Sequence, residues 1–266
     1  MPAIHLERLS EKVDDLVLSY NIPEDFVRKL HDLLSFYADR TYRSGQDIST
    51  HSLLPLYKTP PQINQEILHR LNNKAQNAPM LLLNLCDALW LENNFESKLL
   101  ACELVSLIPT DYAETVFIVT SNWLIQSSNI YLQKAIIEKS LYQIRKQKGE
   151  EFLTTFTFFI QSPNIAENKI GLLALKTVLN DEAFINLPRL FQILTPMMRN
   201  FPEEITMDVS FVIELLIIKS PLETLHFLSQ TYSVNPSIRF QAIIRKVIPQ
   251  FSETHQHTLR VLINNN

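Results

Sequence analysis

Few side chains in this 266-residue sequence stand at spacings that chemistry would need. Its seven histidines, His5, His31, His51, His69, His226, His255 and His257, are scattered. His255 and His257 have no companion at ligand spacing, so no metal site is expected. No Ser-His-Asp or Cys-His arrangement emerges, and the acid nearest Cys86 is its neighbour Asp87, which a helix points elsewhere. Trp90 and Trp123 both sit beside leucines at helical spacing and read first as core. Asp111 follows Pro109-Thr110, the position of a helix cap or first-turn acid. Basic residues gather at Lys134, Lys139, Arg145, Lys146 and Lys148, and again at Arg239, Arg245 and Lys246. Lined along one edge they would hold phosphates, with steep salt dependence. With Glu138, Glu150 and Glu151 interspersed, a solvated helix face is the plainer reading.

Composition narrows the classes further. Apolar residues make up 46% and charged ones 20%, enough to form a core. There are three glycines, Gly45, Gly149 and Gly171. No glycine-rich phosphate loop can be built from them, and hairpin-rich β folds are disfavoured for the same reason. A formal charge of −4 exerts no general pull toward nucleic acid or acidic membranes. Two cysteines, Cys86 and Cys102, cannot make a disulfide framework and read as buried thiols of a reducing compartment. The start, Met1 to Arg8, lacks the apolar core of a signal peptide, and the apolar run Phe211 to Ile218 is short and contains Glu214. No bilayer span, no metal and no cofactor are expected, and the expected location is the cytoplasm.

The elements that must position any site repeat along the chain. Lys98-Leu99-Leu100-Ala101 is echoed by Gln133-Lys134-Ala135-Ile136 and by Asn168-Lys169-Ile170-Gly171. The small residues Ala101, Ala135 and Gly171 are thus 34 and 36 apart, and the interval continues past Met207 to Ala242. A period in the mid-thirties is one helix-turn-helix unit of an α-solenoid. The expected fold is therefore all-α, a right-handed solenoid of HEAT-like hairpins over residues 62–264. It follows an N-terminal helical cap, 1–40, and an irregular linker, 41–61. The cap helices are expected over Ala3 to Tyr20 and from Pro23 to about Arg40, each with an apolar stripe at three- and four-residue steps. Prolines punctuate later helix starts, while Pro196 and Pro249 fall within or near helix ends. Phe152 to Ile160 alternates Thr and Phe, yet occupies a helix slot of the repeat and is predicted helical. The tail Asn264 to Asn266 is expected to fray.

The middle of the chain resembles the DNA alkylation repair family, AlkD-like glycosylases built from HEAT-like repeats. One matching stretch is Leu89-Trp90 followed by Glu96, Ala101, Leu104 and Val105. The other is Trp123, Ser127, Asn129 and Tyr131-Leu132-Gln133-Lys134-Ala135-Ile136. The resemblance implies excision of cationic alkylated bases from duplex DNA. A carboxylate would steady the sugar as the base leaves, and a guanidinium would grip a phosphate. The carry-over is incomplete. Gln133 and Lys134 stand where the family has paired arginines, Tyr131 where it has a tryptophan, and its Trp-Trp-Asp run has no counterpart. Asp111 and Glu114 are the acids left near the sugar position. Trp123, Tyr131, Gln133, Lys134, Lys169 and Arg239 are the candidates for a concave binding groove. The expectation is a HEAT-like binding or scaffold protein that takes a protein or duplex DNA along its concave face. The alternative is a DNA glycosylase.

Overall fold

The computed structural model describes residues 5–38, 54–184 and 186–264, and every regular element among them is helical. Ala3, residues 41–53 of the expected linker, and Asn265 and Asn266 lie outside the described residues. Contacts divide the chain into two compact units, Met1–Lys148 and Gly149–Asn266. No described helix is long and apolar enough to cross a membrane.

In the first unit, α1 (Leu6–Val17) buries Leu9, Val13 and Leu16, the stripe that three- and four-residue spacing prescribes. Next come α2 (Pro23–Tyr37), α3 (Pro61–Asn77), α4 (Pro79–Leu91), α5 (Phe95–Val105) and α6 (Ala113–Gln126). Pro23, Pro61 and Pro79 each open a helix, where the missing N–H has no helical partner. Then α7 (Ile130–Ala135) runs through one π-helical turn, Ile136–Ser140, toward α8 (Tyr142–Gln147). The chain alternates between two layers. In one, α4 packs against both α2 and α6; in the other, α1 contacts α3, α3 contacts α5, and α5 contacts α7 with its π turn.

The second unit repeats this alternation. It contains α9 (Gly149–Gln161), α10 (Ile165–Leu179), α11 (Leu187–Arg199), α12 (Thr206–Lys219), α13 (Pro221–Val234), α14 (Ile238–Val247) and α15 (Glu253–Asn264). Helices α9, α11, α13 and α15 are successive neighbours in one layer, and α10, α12 and α14 in the other. The Thr/Phe segment is α9, with Phe152 and Phe156 inward and Phe158 outward. Pro196 lies inside α11, and Pro249 lies in the short 3-10 turn Ile248–Gln250.

The mid-thirties interval has a physical counterpart in contacts between successive hairpins. Side chains 36 residues apart meet as Trp123 with Asp87, Lys139 with Glu103, and Asn186 with Glu150. Asn235 likewise reaches the carbonyl of Arg199, again 36 residues away. Three helix N-caps keep the same beat. Asn94, Asn129 and Asn164, 35 apart in sequence, accept backbone N–H bonds at the starts of α5, α7 and α10.

The small residues follow the interval only partway. Ala101 and Ala135 are buried, and a Cβ on Gly171 would lie 2.5 Å from Ile160 Cγ1 and 2.8 Å from its backbone N. That is close helix approach, which a missing side chain permits. Met207, by contrast, is 79% exposed and Ala242 is also exposed, so the series of small contact residues stops at Gly171.

Candidate functional site

The densest collection of chemically capable side chains surrounds the two tryptophans. Asp87 and Trp90 are one turn apart on α4, and Trp123 closes α6, the neighbouring helix of that layer. The indoles stack with centroids 4.7 Å apart and planes inclined by 8°. Both are buried, at 3% and 2% exposure. The Trp123 indole N–H donates to Asp87 Oδ1 at 3.0 Å. Burial raises the Asp87 pKa above the ordinary carboxylate value, and the Trp123 N–H offsets part of that rise.

Lys98 completes the cluster from the first half of α5. Its ammonium lies 4.7 Å from the Trp90 ring centroid and donates to the Trp90 carbonyl, in the last turn of α4. Burial lowers its pKa. The group thus closes the C-terminal end of α4 and stacks on an indole face, two uses a lysine fulfils without any ligand. Asn168 has the same task in the other unit. Its buried Nδ2 donates to the carbonyls of Phe159, Ile160 and Ser162 at the end of α9.

A cleft of about 420 Å³ opens beside the cluster, with Leu54, Trp90, Lys98, Ser127 and Asn129 in its wall. Its polar groups are turned to local structure. Asn129 Oδ1 accepts the N–H groups of Tyr131 and Leu132, and Gln133 Nε2 donates to the Ser127 carbonyl at 2.7 Å. Leu54 reaches the cleft because the segment that follows it is strapped to α5. The Pro55 carbonyl accepts from Phe95 N–H and Asn94 Nδ2, while the buried Glu96 carboxylate accepts the N–H groups of Tyr57 and Lys58. Lys58 takes a φ of 53° there. His31 adds a bridge between the Tyr57 hydroxyl and the Glu92 carboxylate. The last residues of the expected linker are therefore a tightly held strap.

The sequence candidates divide around this cluster. Trp123 is in it, and Gln133 supports the loop that borders it. Asp111, in a 3-10 turn, and Glu114, in the first turn of α6, are exposed at the other end of that helix. At 1.5 Å per residue, Glu114 is roughly 13 Å along the axis from Trp123. Tyr131 is 45% exposed, and Lys134 pairs with Glu138 at 3.7 Å. Lys169 and Arg239 belong to the second unit. Lys169 is exposed on α10, and Arg239 donates to the Phe201 carbonyl at 3.0 Å. Asp87 and Lys98 were not among the candidates. Asp87 precedes Trp90 by one helical turn and Trp123 by one repeat interval, which is the signal that would have found it.

Both thiols are buried. Burial pushes the Cys86 pKa well above its ordinary value and that of Cys102 up to about 12. Among the described residues no three His, Cys, Asp or Glu side chains are grouped to hold a metal.

Within each unit the helices alternate between two layers, and several contacts between successive hairpins fall 36 residues apart. The chain belongs to the DNA alkylation repair enzyme family, whose model matches residues 61–239. No curated protein and no solved structure matches it.

Proposed function

We propose that this chain is a HEAT-like repeat binding protein of the DNA alkylation repair family, an α-solenoid that holds its partner without excising a base. The observation that carries this reading is the tryptophan stack. The two indoles of the stretches that resemble the family are packed face to face and buried, and the Trp123 N–H is spent on Asp87. The helical cap (1–40) and linker (41–61) ahead of the repeats are part of the same proposal.

Duplex DNA is the partner that family membership favours, with a protein partner the alternative occupant of the same face. In the layer formed by α10, α12 and α14, Lys176 pairs with Asp208 and Lys246 with Glu214. Lys169 and Arg245 are exposed in that layer without a carboxylate partner among the described residues. Such a surface would grip phosphates, and affinity would fall with salt by a slope of about −0.9 per phosphate neutralised. Mobility shift of an undamaged duplex at two salt concentrations tests this. The expected result is a shift at low salt that weakens at high salt and weakens further in a Lys169→Glu/Arg245→Glu variant. Absence of binding at low salt would remove DNA as the partner.

One observation favours a second reading, base excision: Asp87 is a carboxylate with a raised pKa beside two indoles. Release of 7-methylguanine from alkylated DNA decides it, with Asp87→Asn and Lys134→Ala as controls. The proposed function expects no release above background from any of the three proteins.

A further inference from the structure

A second surface, in the layer away from α10, α12 and α14, has the form of a helix-binding groove. Between α11 and α13 runs a groove of about 680 Å³. Its floor is the stacked pair Phe191 and Phe227, with ring centroids 4.8 Å apart. Leu222 and Val234 stand on its edges at 65% and 77% exposure. Apolar side chains left this open beside an aromatic floor are costly in water, at about 25 cal/mol per Å² of apolar surface that a partner could cover.

The ends of the groove differ in charge. Asn235, just past the C-terminal end of α13, donates to the carbonyl of Arg199, at the C-terminal end of α11, so the two helices run parallel. Arg199 therefore marks one end of the groove and Glu223, in the first turn of α13, marks the other. Both side chains line it, and neither forms an ion pair among the described residues.

We propose that this groove binds one amphipathic α-helix of a protein partner, antiparallel to α11 and α13. An antiparallel helix opposes its macrodipole to theirs. It also places its first turn, where acidic residues are stabilising, beside Arg199, and its last turn, where basic residues are, beside Glu223. Its apolar stripe at i, i+3, i+4 and i+7 covers Phe191, Leu222 and Val234. Selectivity rests on the end charges and affinity on the apolar floor.

The test uses two fluorescent, lactam-stapled peptides of equal helicity and the full chain. Both carry the same apolar stripe. One has Glu in the first turn and Lys in the last, and the other has these exchanged. In anisotropy titrations the first is expected to bind at least about tenfold more tightly, a difference of about 1.4 kcal/mol. The Arg199→Glu/Glu223→Arg double variant is expected to reverse the order, and Leu222→Asp to weaken both peptides. These changes are on exposed positions, and circular dichroism confirms that helicity is retained. Equal binding of the two peptides, or binding of neither to the wild type, overturns the proposal. Self-association of the wild type that Leu222→Asp abolishes would identify the occupant as a second copy, and overturns it as well. None of these outcomes alters the DNA titration, so the two proposals stand or fall separately.

Discussion

Single residues in this fold work mainly on one another. Asp87, Trp90, Trp123 and Lys98 are each capable of chemistry, yet each has a structural partner already in place. The pH dependence of stability should register the two ionisable members. A carboxyl whose folded pKa is raised binds its proton more readily folded than unfolded. The burial of Asp87 therefore destabilises fully above its folded pKa, and the cost is relieved as pH falls toward the ordinary carboxylate value. For Lys98, whose pKa is lowered, the cost is fully present below its folded pKa and is relieved as pH rises through that value toward 10.5. Comparing melting temperature against pH for the wild type and Asp87→Asn should show the acidic part of this dependence lost in the variant. At Gly171, substitution by Ala is expected to destabilise by about 1–3 kcal/mol, because the added methyl meets the Ile160 backbone. A melt that instead rises, as helix propensity alone would give, would contradict the close approach.

At the scale of elements, the N-cap asparagines and the residues reaching back over helix ends define each hairpin. Asn164→Ala should cost about 1 kcal/mol as a lost N-cap, measured by urea denaturation. Asn168→Ala should cost more, about 1–3 kcal/mol, since buried carbonyls of Phe159 and Ile160 lose their donor. Removing the Glu96 charge with Gln weakens the bonds that hold Tyr57 and Lys58, and trypsin should then cut after Lys58 faster than in the wild type. How much of this was legible in the sequence varies by element. Helix starts were readable, because proline and asparagine have local reasons to sit there. The strap was not, because its hold comes from Glu96, 38 residues beyond Lys58, and no local pattern announces a carboxylate that will bind a distant backbone. The π turn at Ile136–Ser140 left no sequence signal either; there the Ser140 hydroxyl donates to the Cys102 carbonyl of α5, a tertiary contact.

For the whole molecule, the all-helical class followed from periodicity and scarce glycine, which are properties of long stretches and survive local substitutions, whereas the family was carried by the resemblance of the stretches around Trp90 and Trp123. The interval read from small residues was sound through Gly171 and misplaced at Ala242, where exposure removes any packing reason for a small side chain. Asparagines 94, 129 and 164 carry the period more cleanly than the small residues do. Asp87 is visible in the sequence only as the neighbour of Cys86, because the resemblance's chain order points to Asp111 and Glu114. The interval itself would have led to Asp87.

Both tryptophans of the chain, Trp90 and Trp123, fall within Met1–Lys148, and they touch. Tryptophan emission, excited at the red edge of the indole band where tyrosine does not absorb, is therefore a private signal of that half, while backbone ellipticity reports both halves. Heating one sample under both optical probes would reveal whether the halves melt together: coincident curves mean a single cooperative transition, and a lag between them means two.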